Sequence, residues 1–111
     1  MKYALLLVLV ACGAEHRGGP NGPEVATTDP AIARGEHLFH KFCYQCHPGG
    51  SAGIGPSLND KPLPQVAIRT QIRQGVGSMP AFGDDWLTDA QVADIAAYVK
   101  ALHKTPATAR R

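Results

Sequence analysis

Three stretches with helical periodicity, none that alternates as a strand does, and long Gly- and Pro-rich connections predict a small all-α domain. The chain has 111 residues, enough for one such domain. A core of that size is marginal by itself and gains from a staple such as a metal or cofactor.

The first helix opens in "DPAIARGEHLFHKFCYQCH", with Asp29 as N-cap and Pro30 at the first helical position. Ile32, Gly35, Phe39, Phe42, Cys43 and Cys46 recur at three- and four-residue spacing and mark one helical face. A glycine inside that face lowers helix stability relative to alanine, which makes sense where a second backbone must come close. "HPGGSAGIGPSLNDKPLP" reads as a loop on composition. "PQVAIRTQIRQG" is a short helix, with Ile68 and Ile72 four apart and Gly75 as its stop. "VGSMPAFGDDW" is a second loop. The last helix, "LTDAQVADIAAYVKALHK", has the strongest pattern: Thr88 and Gln91 form a capping box, and Val92, Ile95, Ala96, Val99 and Leu102 form an apolar stripe.

Ahead of this domain the chain begins "MKYALLLVLVAC", one lysine followed by an unbroken apolar run from Ala4 to Ala11. The run is too short to span a bilayer, which takes about 20 apolar residues, and fits the hydrophobic region of a secretory signal peptide. "LVAC", Leu9 to Cys12, resembles the lipobox of bacterial lipoproteins, in which the cysteine is acylated and becomes the first mature residue. The alternative is an ordinary signal peptide with an incidental cysteine. The place of Cys12, just where the apolar run stops, favours lipidation, and so does the odd total of three cysteines. Gly13 to Thr28 is rich in glycine and proline without apolar period and reads as a flexible tether, with an r.m.s. span of roughly 20–24 Å. The expected plan is thus a signal peptide at 1–11, a lipidated cysteine and tether at 12–28, a domain at 29–104 and a frayed tail at 105–111.

The net charge is +2. Between Asp29 and Lys104 the basic and acidic residues balance, so the surplus lies in the tails and a nucleic-acid partner is not supported.

The chemistry centres on "CYQCH". Cys43, Cys46 and His47 stand three and four apart, so within one helical turn they converge on a single group. C-x-x-C-H is the signature of c-type haem attachment, in which two thiols add across the vinyl groups while the imidazole reaches the iron. Two other occupants fit less well. A thioredoxin-like dithiol belongs near a βαβ pattern, and a structural zinc site needs a second spaced pair of ligands; neither is visible. The export signal supplies the oxidising compartment that thioether linkage requires. The mature chain has one methionine, Met79, in the glycine-rich "GSMPAF". A flexible gap-filler in the core is its bland reading, but a loop methionine followed by proline is well placed as a thioether ligand, and His/Met ligation raises the haem potential. His37, His40 and His103 are the weaker candidates.

From Asp29 to about His103 the sequence resembles the class I c-type cytochromes, in particular short bacterial monohaem ones. Gly35 and Phe39 on the first helix, with Ile95 and Tyr98 on the last, look like that family's crossing of terminal helices. "GPSL", Gly55 to Leu58, resembles the segment whose proline carbonyl accepts the proximal histidine's Nδ1–H; the resemblance gives Pro56 that role toward His47. "MPAF", Met79 to Phe82, resembles the distal-ligand segment. The resemblance implies three helices and loops wrapped around one covalent haem c, with Cys43 and Cys46 as attachment points and His47 and Met79 on the iron. Lys61, Arg69, Arg73 and Trp86 are candidates for the propionate rim or are plain surface residues.

Two functions are open. One is an electron carrier, exported and lipid-anchored at the periplasmic or other extracytoplasmic face of a membrane. It would serve membrane redox complexes such as a terminal oxidase, a quinol-oxidising complex or a dehydrogenase, as a general carrier or a dedicated subunit. The other is a haem enzyme or gas sensor with an open or displaceable sixth iron ligand, for which Asp84 and Asp85 are the nearest acid–base candidates. Lys41, Lys61, Arg69 and Arg73 precede the distal loop, while Asp84, Asp85, Asp89 and Asp94 follow it. In space these charges either segregate into a dipole or mix evenly.

Overall fold

The computed structural model describes residues 25–105; the expected signal peptide, the expected lipidation at Cys12, the expected tether up to residue 24 and the tail from residue 106 lie outside the described residues. Three helices run in chain order: α1 (Pro30–Phe42), α2 (Gln65–Gln74) and α3 (Asp89–Lys104), with a single 3₁₀ turn at Pro48–Gly50. No strand occurs among the described residues. None of their helices is long and apolar enough to cross a membrane.

The capping chemistry forms as its residue types dictate. Asp29 Oδ1 accepts from the Ala31 N–H at 2.9 Å with Pro30 next in line, which starts α1. At α3 the Thr88 hydroxyl accepts from Gln91 N–H (3.2 Å) while the Gln91 side chain accepts from Thr88 N–H (2.9 Å), a complete capping box. Gly75 ends α2 with φ at 62°.

α1 is shorter than its apolar spacing predicted. The face was expected to run through Cys46, but the helix stops at Phe42. The Phe39 carbonyl accepts from both Cys43 N–H (2.8 Å) and Tyr44 N–H (3.0 Å), and the longer of these two loops breaks the α register. One further turn survives, because His47 N–H donates to Cys43 O at 2.9 Å.

The core is the crossing of α1 and α3. Phe39, Val92, Ile95, Ala96, Tyr98, Val99 and Leu102 are buried there, with Ile68 and Ile72 arriving from α2. The Phe39 and Tyr98 rings sit 5.2 Å apart in a tilted pair. At its edge Arg34 on α1 bridges to Asp94 on α3 at 2.8 Å. One boundary needs correcting. Val25, assigned to the tether, is only 9% exposed and belongs to the core cluster, so packing begins four residues before Asp29. An isolated valine in a Gly/Pro-rich run has no periodic neighbours, hence no sequence signal.

Arg73 holds the loop between α2 and α3. It donates to the carbonyls of Phe82 (3.0 Å) and Leu87 (2.7 Å) and pairs with Asp84 (3.0 Å) and Asp89. These bonds bring the loop back under α2 and seat Leu87, 1% exposed, in the core.

Candidate functional site

The turn that follows α1 contributes to the wall of a cavity of about 480 Å³, well inside the range of roughly 300–1,000 Å³ for cofactor pockets. Cys46 and His47 line it from the segment after α1, Pro56 and Leu58 from the following loop, Ile68 and Ile72 from α2, and Met79 from the loop beyond. Among the described residues, no titratable side chain apart from Cys46, His47 and Lys61 lines it, and no carboxylate does.

His47 is buried, with Nδ1 2.8 Å from the Pro56 carbonyl oxygen. A carbonyl can only accept, so Nδ1 carries the proton and Nε2 is left with its lone pair, the tautomer a metal ligand needs. The role expected of Pro56 thus has its geometry.

The approach to His47 is tight. A Cβ on Gly55 would lie 2.3 Å from the ring's Cε1 and 2.8 Å from both ring nitrogens. Gly55→Ala is therefore expected to push the imidazole off the Pro56 carbonyl and cost about 1–3 kcal/mol. A denaturant melt of the haem-loaded protein checks this: an unchanged midpoint would mean that the ring has room to move.

Behind His47 lies a polar cluster that the sequence did not disclose. Ser51, Ser57 and Asn59 are buried; the Ser57 hydroxyl donates to Asn59 Oδ1 (2.9 Å), and Asn59 Nδ2 reaches Ser51 Oγ at 3.4 Å. Leu58 and Asn59 N–H groups both donate to the Gly50 carbonyl (2.7 and 3.1 Å). These bonds fix the loop that presents Pro56. In a Gly/Pro-rich stretch such residues read as solvent-facing, and no spacing marks them as interior.

Met79 is half-buried at the end of a turn closed by reciprocal backbone bonds with Val76 (2.9 and 3.1 Å). The Gln71 side-chain amide, which also lines the cavity, lies 3.9 Å from its sulfur. Gln71 too escaped the sequence reading, although it sits one residue before buried Ile72 on the inner side of α2. The other ligand candidates do not reach the cavity: His37 and His40 are exposed on α1, and exposed His103 donates to the Asn59 carbonyl instead (3.2 Å).

Of the four rim candidates only Lys61 lines the cavity. Its ammonium donates to Ser57 O (2.7 Å) and Asp60 (3.1 Å). Arg73 is committed to the loop as described, Arg69 is exposed beside Gln65, and Trp86, 63% exposed, stands edge-on to Phe42 at 6.5 Å. Asp84 and Asp85 are exposed and away from the cavity wall, so the acid–base pair suggested for an open-site enzyme is not assembled.

The alternatives to haem fare poorly on the same geometry. No cluster of three His, Cys, Asp or Glu side chains able to hold a metal ion exists among the described residues, which leaves a zinc centre without ligands. Burial, reinforced by neighbouring Cys46, pushes the Cys43 thiol up to about 12, the reverse of the activated thiolate a redox dithiol uses. An apolar cavity with a cysteine and a lone-pair imidazole on one wall and a thioether on another does fit a haem.

Three capped helices folded around such a cavity define a small c-type cytochrome domain. The family described as cytochrome C oxidase, cbb3-type, subunit III matches residues 30–99, and the chain belongs to this family of cytochrome c domains. The cytochrome c subunit of 4-cresol dehydrogenase (hydroxylating) from Pseudomonas putida is 32% identical over 77 residues, covering 69% of this chain and 67% of that protein. Cytochrome c6 of Cyanidioschyzon merolae is 38% identical over 81 residues, 66% of this chain and 76% of that one. Among solved structures, cytochrome c6 from the diatom Phaeodactylum tricornutum aligns with a TM-score of 0.58 at 35% identity, over 66% of this chain and 94% of its own. The chain is accordingly a class I monohaem cytochrome with one covalently attached haem c, and its activity is electron transfer as a carrier, not an enzyme.

Proposed function

We propose that this protein is a membrane-tethered, His/Met-ligated carrier that passes single electrons between redox complexes. The observation that carries the reading is the cavity itself. It brings together His47, whose Nε2 lone pair is left free by the Nδ1 bond to Pro56, and Met79, with no carboxylate of the described residues on its walls. Haem, when bound, supplies a one-electron couple. The chain's own residues do the rest. Cys43 and Cys46 would tether the group, Pro56 and Gly55 orient His47, the apolar walls would exclude water, and His47 and Met79 would both hold the iron, leaving no site for a substrate. That is why the carrier reading is preferred over an open-site enzyme or gas sensor.

The expected result is a low-spin reduced spectrum that carbon monoxide leaves unchanged at neutral pH. Ready carbon monoxide binding would overturn the ligand set.

The tether rests on the apolar run ending at Cys12 and on the Gly/Pro-rich stretch after it. We place the haem domain at 25–104 and the protein at the extracytoplasmic face of a membrane, held by lipid on Cys12. Mass spectrometry of the mature protein should find an acylated N-terminal Cys12; an unmodified terminus cut elsewhere removes the anchor. Its partner class is a dehydrogenase or a membrane oxidase or quinol-oxidising complex. The similarity to the cytochrome subunit of 4-cresol dehydrogenase supports a redox-enzyme partner.

A further inference from the structure

The Pro56 carbonyl that meets His47 Nδ1 belongs to the peptide plane joining Pro56 to Ser57, so whatever sets that plane sets the bond. On the N-terminal side backbone fixes it: Gly55 N–H donates to the carbonyl of Cys46 at 2.8 Å. On the C-terminal side the fixing is done by side chains. Ser57, 0% exposed, donates its hydroxyl to Asn59 Oδ1 at 2.9 Å, and its carbonyl accepts from the Lys61 ammonium at 2.7 Å.

Asn59 is where these restraints meet. Its amide oxygen takes the Ser57 hydroxyl and its amide nitrogen reaches Ser51. Its N–H donates to the Gly50 carbonyl at 3.1 Å, and its own carbonyl accepts from His103, on the last turn of α3, at 3.2 Å. The loop also has little room to shift: a Cβ on Gly50 would lie 2.9 Å from Leu102 Cδ1 of α3 and 3.6 Å from Asn59 Cβ. An amide offers this buried place an acceptor and a donor together. Leucine offers neither, and a carboxylate would add a buried charge.

We propose that Asn59, acting through Ser57, is a positioning residue for His47: it keeps the Pro56 carbonyl in line with Nδ1–H and so sets how strong a donor the imidazole is toward the iron. The proposal rests on the reading of His47 as an iron ligand. A histidine whose Nδ1–H is held by a carbonyl is the more basic ligand, which favours oxidised iron. Loosening that carbonyl should therefore weaken the donor and raise the reduction potential, although neither expected ligand is changed.

The test uses haem-loaded, isotope-labelled protein and reads two quantities: solvent exchange of the His47 Nδ1 proton in the reduced state, and the reduction potential. Exchange is taken relative to the amide of Ala96, 0% exposed in α3, so that global unfolding cancels. Ser57→Ala and Asn59→Leu should each speed the relative exchange about tenfold or more and raise the potential. Should Asn59→Leu fail to fold, Ser57→Ala, the smaller change, decides. Phe39→Leu is the control, because Phe39 is buried in the crossing of α1 and α3 and does not line the cavity. It should lower the melting temperature and leave both readings at the parent's values. If the loop variants behave like Phe39→Leu, the network only stabilises the loop and the proposal is overturned. A potential that rises while relative exchange stays within about twofold overturns it as well, since the effect would then bypass Pro56. A parent spectrum that is not low-spin would sink the ligand set, and the proposal with it; the unmutated protein alone tells that failure from the others.

Discussion

Gly35→Ala is expected to destabilise the domain by about 3 kcal/mol, at the upper end of what overpacking costs. A Cβ at position 35 would lie 2.0 Å from the Asp94 carbonyl oxygen, 2.6 Å from its carbon and 2.9 Å from Tyr98 Cβ. The first two are backbone of the facing helix, so no rotamer change relieves them; α1 and α3 must separate. Separation opens the contact between Phe39 and Tyr98, both 1% exposed, and strains the Arg34–Asp94 bridge. Alanine recovers up to about 1 kcal/mol of helix propensity, too little to offset the clash. For a domain of this size each kcal/mol moves the melting temperature by about 4–8 °C, so a fall of roughly 12–24 °C is expected in the haem-loaded protein. A melting point within a few degrees of the parent would show that the helices can slide apart freely, and the crossing would lose its claim to organise the fold.

The same crossing shows what one-dimensional pattern can disclose. Gly35 stood out because it interrupts an apolar face where alanine is the better helix former, and the facing Asp94 carbonyl accounts for it. The stripe on α3 and both helix caps were equally legible, since propensity, periodicity and capping are local. C-x-x-C-H and the proline carbonyl of "GPSL" were legible because sequence-adjacent segments carry them. What stayed hidden depends on tertiary placement. Ser51, Ser57 and Asn59 are buried because a loop folds inward, and Gln71 meets Met79 eight positions further along the chain. Arg73 was placed near the rim from charge alone, yet four acceptors on the loop before α3 and on its first turn claim it. A shallow concavity lined by Lys61, Lys100, His103 and Lys104 joins residues some forty positions apart and has no linear signature.

Met79→Ala is expected to lower the reduction potential by on the order of 0.1 V or more, within the roughly 0.8 V that axial ligands span, and to make the iron accessible to carbon monoxide. A thioether favours the reduced iron, and among the described residues no histidine or methionine other than His47 and Met79 lines the cavity to replace it. Lys61 is held by Ser57 O and Asp60, Cys46 is the proposed attachment point, and His37, His40 and His103 lie off the wall. The turn that carries Met79 is closed by its own backbone bonds with Val76, so truncating the side chain leaves the loop in place. Because Met79 also packs against the core, alanine removes apolar contact as well as the sulfur. Met79→Leu separates the two effects, since it conserves volume at a cost usually below about 1.5 kcal/mol while deleting the sulfur. Both variants should show the same fall in potential and the same carbon monoxide binding, but leucine should melt closer to the parent. If leucine instead preserves the potential and the inertness to carbon monoxide, Met79 is a packing residue, the sixth position is filled otherwise, and the case for a closed, carrier-type iron site fails with it.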